Sequence, residues 1–446
     1  MRGLRSTLAL LLVLGGLGAY IYFLASKQPT DAGPSQERVF SSLESDKIEE
    51  VTVKSESGDV TTIKKDGAAW KIVTPVTADA AEAEAAGLTS ALAQLEFLRV
   101  IDPNPSALGD YGLDKPRVEI AFKVGDKTSG RLYLGSKTPT GTGLYARRND
   151  EAQVFLVSEY RDAALNRSTF DLRDKTFAVV PRAKVQSIQI ANGAQTLVLT
   201  KKDDAWRLTA PIDARAEFSA AEAVIGRIES ATVKSIVSEH AGDPDLKQYG
   251  LDKPQVRLTL NLEGATAVLD FGGPADNGGV YARQAAKPSI VTVEQSLVDE
   301  LKKAPEQYRQ KDLFTFRAFN ATRTEISWSG KTLVIEKTEA SGDKPESWKR
   351  LTPTGGELDR GKVDGLLNGL SDMRVTSFKS SRAGTGVDSP AMTVSVTFDQ
   401  GKKEDRVTFG KAGDQVHAGR PDDPGVAVVD SDEFAKAVTA LDELLK

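Results

Sequence analysis

The chain has 446 residues, 40% of them hydrophobic and 27% charged, with a formal net charge of −5; at about 150 residues per domain this length calls for roughly three cores. Charges of both signs are interspersed, so the chain lacks the electrostatic footprint of nucleic-acid binding. It contains no cysteine, which excludes disulfides, thiol catalysis, Cys-ligated zinc, iron–sulfur clusters and a lipid-modified N-terminal cysteine.

The first element in chain order is an apolar run. Arg2 and Arg5 stand before it, residues 4–25 carry it with no acidic residue, and Tyr20, Tyr22 and Phe23 sit at its far end. A helix of about 20 apolar residues spans a bilayer, and the aromatic residues suit an interface. The run is longer than the apolar region of a secretory signal, and Leu24-Ala25-Ser26 is a poor cleavage site. Residues 1–28 are therefore expected to form a cytoplasmic N-terminus and an uncleaved transmembrane anchor, with the remainder exported. Residues 29–45, beginning "PTDAGPSQ", read as a linker.

Beyond the linker the sequence repeats. "WKIVTP", "WRLTAP" and "WKRLTP" begin at Trp70, Trp206 and Trp348, each preceded by a β-hairpin pattern such as "EVTVKSESGDVTTIKKDGAAW". An apolar helical stripe follows each: Leu88, Leu92 and Leu95; Val224, Ile228 and Ala231; Leu366, Leu370 and Met373. "YGLDKP" then occurs at residues 111–116 and again at 249–254, with "GVDSP" at 386–390 as a degraded third copy. Alternating strands follow ("RVEIAFKV", "QVRLTLNL", "MTVSVTF"), then strands ending in glycine ("LYLG", "LDFG", "VTFG"), then "LYARR", "VYARQ" and "VHAGR". A last strand leads into a closing helix. The expected fold class is α+β: an N-terminal transmembrane helix followed by three tandem repeats, each β-hairpin, helix, antiparallel strands and helix. The units are placed at residues 46–178, 179–316 and 317–446, the last divergent. Units of this size can each own a core. "RDKTF" and "RQKDLF" align at the joints, which suggests that the joints are packed.

The hexapeptide reads first as a shaped loop. Gly112 and Gly250 permit backbone angles closed to other residues, Leu113 and Leu251 plug the core, Asp114 and Asp252 form local turns, and Pro116 and Pro254 open the next strand. The functional alternative makes Asp114, Asp252 and Asp388 ligands or catalytic acids. Three copies of one acid in three separate cores fit a scaffold better than an active site.

In this order of motifs the chain resembles the DUF4340 family, from about Asp46 to its end. The resemblance implies a bacterial, membrane-anchored, extracytoplasmic protein, often encoded beside ABC-2-type transporters and gliding-motility-like auxiliary proteins. It implies no catalytic residue. The third unit departs from the pattern, with no tyrosine before Gly386 and His417 in place of the tyrosine of YAR.

Chemical motifs are sparse. His240 and His417 occupy non-equivalent positions and read as solvated loop residues, not as a metal pair. "SGKT" at 329–332 has Glu325 where a phosphate loop requires glycine. "GDPD" and "PDDPG" read as solvated acidic turns in preference to weak calcium sites. Tyr145, Arg147, Tyr281 and Arg283 are the best candidates for a repeated partner surface, since Tyr and Arg are favoured anchors; a packed Tyr with an exposed Arg is the structural alternative. No cofactor or metal is expected. The leading expectation is a non-enzymatic accessory scaffold at the bacterial inner membrane. It contacts that membrane through residues 4–25 and a protein partner in a transport or motility complex. The rivals are an exported polysaccharide or cell-wall hydrolase, which needs a carboxylate pair unique to one unit, and a carbohydrate-binding array, which needs exposed aromatics.

Overall fold

The computed structural model describes residues 37–193, 195–276, 278–340 and 345–446. Local sequence sets the hairpins. Val51 and Val53 alternate with polar neighbours on β1 (Glu50–Lys54), which pairs with β2 (Val60–Asp66). The next turn passes through Gly67 at φ +65° into β3 (Ala69–Thr74). In the equivalent turn of the second unit Asp203 and Asp204 both take positive φ, as a two-residue type I′ turn requires.

Six further strands complete the first sheet: β4 (Ala78–Asp79), β5 (Arg99–Asp102), β6 (Val118–Val124), β7 (Lys127–Lys137), β8 (Gly143–Arg148) and β9 (Val154–Ser158). Their order is β4-β3-β2-β1-β6-β7-β8-β9-β5, every neighbouring pair antiparallel. A second sheet repeats this order with β10 (Val185–Asn192), β11 (Gln195–Lys202), β12 (Ala205–Ala210), β13 (Ala214–Arg215), β14 (Ser235–Ser238), β15 (Val256–Leu262), β16 (Ala265–Pro274), β17 (Gly279–Gln284) and β18 (Ile290–Glu294). The third does so with β19 (Ala321–Trp328), β20 (Lys331–Thr338), β21 (Ser347–Thr352), β22 (Glu357–Leu358), β23 (Val375–Lys379), β24 (Met392–Phe398), β25 (Lys403–Ala412), β26 (Gln415–Gly419) and β27 (Val426–Val429). The edges are short: β4, β13 and β22 have two residues each, which limits edge-to-edge pairing.

The α+β expectation is corrected by this content: 43% of the structure is strand and 22% helix, in three nine-stranded antiparallel sheets. Two readings caused the error. The tryptophan segments are themselves strands, adding β3 and β4 and their counterparts outside each hairpin. The closing helices are also mostly short, spanning only Asp162–Leu165 in the first unit and Gln295–Leu301 in the second, against Ser431–Leu445 in the third. The proposed anchor, residues 4–25, lies outside the described residues; among the described residues no helix is long and apolar enough to cross a membrane.

One crossover helix per sheet supplies the other half of each core: Glu82–Ala93, Phe218–Glu229 and Arg360–Ser371. Leu88 and Leu92, Val224 and Ile228, and Leu366 and Leu370 are buried on these helices. The third stripe positions, Leu95, Ala231 and Met373, fall just beyond the helix ends. There their carbonyls accept from Val39, Phe177 and Leu313 at 2.7, 3.0 and 3.3 Å, tying the opening segment ahead of each sheet to its core. Trp70, Trp206 and Trp348 are at most 6% exposed, and the prolines that follow, Pro75, Pro211 and Pro353, all have cis peptide bonds. By contact the chain divides into two compact units, residues 1–175 with the first sheet and 176–446 with the second and third.

Candidate functional site

The hexapeptide loops close on the glycine-bearing strands. Gly112, Gly250 and Gly386 have φ of +64°, +69° and +76°, a region open mainly to glycine. Each faces the glycine near the C-terminal end of β7, β16 or β25. A Cβ on Gly135 or Gly272 would stand 2.2 Å from the carbonyl oxygen of Tyr111 or Tyr249, and one on Gly410 2.2 Å from Gly386 C. The two glycine motifs of each repeat are thus one close backbone contact. Leu113, Leu251 and Val387 are buried beside it. Backbone bonds Leu113 N to Leu108 O (3.0 Å) and Leu251 N to Leu246 O (2.7 Å) hold the loops. Asp114 and Asp252 point to solvent, whereas Asp388 pairs with Arg382 at 3.0 Å.

The YAR strands put alternate residues on the outer face of the sheet. On β8 Leu144 and Ala146 are buried, while Tyr145 and Arg147 are half-buried outside. Tyr145 packs edge-on to Tyr111 of the hexapeptide at 5.1 Å, and Tyr281 packs on Tyr249 at 4.4 Å. The repeated tyrosines of the two motifs therefore form a pair. The Tyr111 hydroxyl donates to Asp102 at 3.3 Å; burial and this carboxylate push its phenol above the ordinary range.

The arginines are engaged differently in each unit. Arg147 lies over the Tyr133 ring at 4.6 Å. At the Tyr133 position the second unit has Asp270, fully buried, which accepts from Arg283 at 3.1 Å and from Arg257 at 2.6 Å. In the third unit Gly419 stands at the arginine position, and a Cβ there would meet the Arg382 guanidinium at 3.0 Å. An arginine from another loop thus fills the same space. One place further along, Arg148, Gln284 and Arg420 each donate to the opening segment ahead of their own sheet, at the carbonyls of Val39, Phe177 and Leu313.

His417, expected in a loop, is buried on β26. Its Nε2 lies 2.8 Å from Lys379 Nζ; burial and that ammonium lower its pKa, so the ring is neutral and Nε2 accepts. β7 and β16 carry a register shift beside their glycine, whereas β25 pairs with β26 without one, Gly410 opposite His417. The "SGKT" segment is a hairpin turn, with Ser329 and Gly330 both at positive φ between Trp328 and Lys331.

Sequence reading missed a cluster of arginines between the second and third sheets, both within residues 176–446. Arg309, 3% exposed, lies 3.6 Å over the Phe378 ring and donates to Asp423 at 2.6 Å. Arg215 donates to the carbonyls of Asp312 and Leu313 at 3.0 and 3.2 Å. Arg207 donates to the carbonyl of Asp422 at 3.0 Å. Arg420 binds Asp405 at 3.0 Å and Asp422 at 2.9 Å, and Asp405 also accepts from the backbone of Thr315 and Phe316. Burial and the neighbouring Arg420 lower the pKa of Arg215. "PDDPG" is therefore an acceptor for arginines, not a solvated turn. The signal available was the alignment of "RDKTF" with "RQKDLF", which places Arg309 in the joint.

A surface depression of the third unit lies between β19, β20 and the β24–β25 turn and is lined by Arg323, Glu336, Lys337, Glu346, Asp399 and Lys403 among others. Lys337 holds Glu346 below the ordinary carboxylate range, and Lys403 does the same to Asp399. A glycosidase acid needs the opposite shift. Among the described residues no group of three or more His, Asp or Glu side chains could hold a metal.

No curated protein matches the chain. Residues 70–205 and 206–384 match the family described as a domain of unknown function, DUF4340. The two matches start at Trp70 and Trp206, so each begins on the third strand of one sheet; the first runs through the opening hairpin of the next sheet and the second on past β23 of the third. With both matches together covering most of its length, the chain belongs to the DUF4340 family.

Proposed function

We propose that the protein is a non-enzymatic accessory scaffold, held at the bacterial inner membrane through residues 4–25, that presents three sheet units outside the cytoplasm to a component of a transport or motility complex. The observation that carries this reading is the use made of the repeated polar residues. Tyr111 and Tyr145, Tyr249 and Tyr281, and Arg283 and Asp270 are joined to one another within the chain, as braces are, and the hexapeptide aspartates of the first two units point away from the core. The transport context rests on the family resemblance. Buried repeat tryptophans and lysine-paired carboxylates weigh against the carbohydrate-binding and hydrolase readings.

The test is affinity capture from native membranes with a tag after Lys446, together with a topology reporter at the same place. Co-purification of a transport or motility component, with a reporter active only outside the cytoplasm, is the expected result. A cytoplasmic reporter, or hydrolysis of wall polysaccharide by the purified chain, sinks the reading.

A further inference from the structure

The joint between the second and third sheets shows what the β5-side edge of a unit accepts. On the third unit that edge is β23, where Phe378 pairs with Ala427. The guanidinium of Arg309 covers Phe378, and Asp422 and Asp423, in the turn after β26, bind Arg207 and Arg309. The receiving face is thus one apolar side chain on the edge strand beside an acidic turn, and it takes arginines.

The first unit carries the same face. Val100 on β5 pairs with Phe155 on β9, the register position that Phe378 holds against Ala427. Arg148 matches Arg420 in its bond to the opening segment, and the turn that follows has Asp150 and Glu151 in place of Asp422 and Asp423. Both turns close alike, with Glu151 N on Arg148 O at 3.2 Å and Asp423 N on Arg420 O at 3.5 Å. Here, however, the apolar part is bare: Val100 is 49% exposed and Leu98 41%; in the turn Glu151 is held by Arg148 at 2.8 Å, and Asp150 is exposed.

Resting on the scaffold reading, we infer that this face, Leu98, Val100 and Asp150, docks an arginine-bearing surface of a different protein. The guanidinium lies over Val100 and pairs with Asp150, as Arg309 does with Phe378 and Asp423. Charge selects the occupant. The chain's own upstream segment has Ser35 at the Arg309 position, and its only arginines before Glu37 are Arg2 and Arg5. A second copy offers its third unit, where Glu357 and Leu358 form the short edge strand that carries Arg215 in the second unit. Glu357 would face Asp150, a like-charge contact, and the Arg207 position there is Lys349, an ammonium without the planar fork of a guanidinium.

The experiment places a photo-crosslinking benzoyl-phenylalanine at Val100 of the full chain in its native membranes, with Val73, on the opposite side of the sheet, as control. The expected result is a Val100 adduct with one other protein whose crosslinked peptide contains arginine. Asp150→Lys should reduce that adduct by about tenfold without changing the melting temperature. An adduct with a second copy, with residues 1–36 or with lipid alone, no adduct, or one indifferent to the charge reversal overturns the inference. If capture through the Lys446 tag still recovers a transport component in that case, the scaffold reading stands and only this face falls.

Discussion

Gly272 offers the sharpest perturbation, because its glycine is required by contact and not by backbone angle. A methyl group there would meet the carbonyl oxygen of Tyr249 at 2.2 Å and Leu251 Cγ at 3.0 Å. The carbonyl cannot swing away, since it accepts from Gly273 N at 2.8 Å, and Leu251 is fully buried. Gly272→Ala should therefore push the hexapeptide loop outward and cost about 1–3 kcal/mol, the usual penalty of overpacking. At ~2–4 °C per kcal/mol for a domain of this size, the transition of the affected unit should fall by several degrees. Gly250→Val adds strain at φ +69° of ~1–3 kcal/mol. The two changes disrupt one contact, so the double variant should lose less than the sum of the single losses. Thermal melts of the four proteins decide the matter. Strict additivity, or an unaffected Gly272→Ala protein, would refute the view that the two motifs form one brace.

Other perturbations follow from the same geometry. Asp270→Ala leaves Arg257 and Arg283 without their shared carboxylate and should cost about 2–3 kcal/mol, reduced from a fully buried pair because Arg257 is 47% exposed, read by chemical denaturation. Arg309→Ala uncovers Phe378 and strands Asp423, so limited proteolysis should cut the joint near Gln310 faster while the sheets survive. His417 has a lowered pKa in the folded state. Below about pH 6.5 the unfolded chain binds a proton that the folded one excludes, so stability is full above that pH and declines as pH falls. His417→Gln should flatten this decline, and a pH series of melts checks it.

The repeat was legible in the sequence because its landmarks are backbone-determined. Glycines at positive φ, prolines after tryptophan and alternating strands keep their spacing through divergence. What the sequence concealed was pairing across distance. Trp70 looked like the end of a hairpin, although its segment is a third strand, and only the register on β2 reveals this. Tyr111 and Tyr145 were read as separate motifs because nothing local says that a loop residue folds over a strand three elements later. The arginine at 147 and 283 could be seen to repeat, but its partner changes from Tyr133 to Asp270, and in the third unit another residue, Arg382, takes its place. The space is retained while the residues filling it change. Asp423 looked solvated because its partner, Arg309, belongs to the preceding unit, as does Arg207, which takes the Asp422 carbonyl.

The most direct test of the central claim, that the repeats are braces presenting a surface and not three copies of a working site, is capture from native membranes of the triple variant Asp114→Asn, Asp252→Asn, Asp388→Asn. The carboxylates of Asp114 and Asp252 are exposed and Asp388 keeps only one surface pair, so the variant should melt with the wild type and recover the same partner in the same yield. A variant that folds and melts normally but loses its partner, or loses function in the cell, would contradict the account.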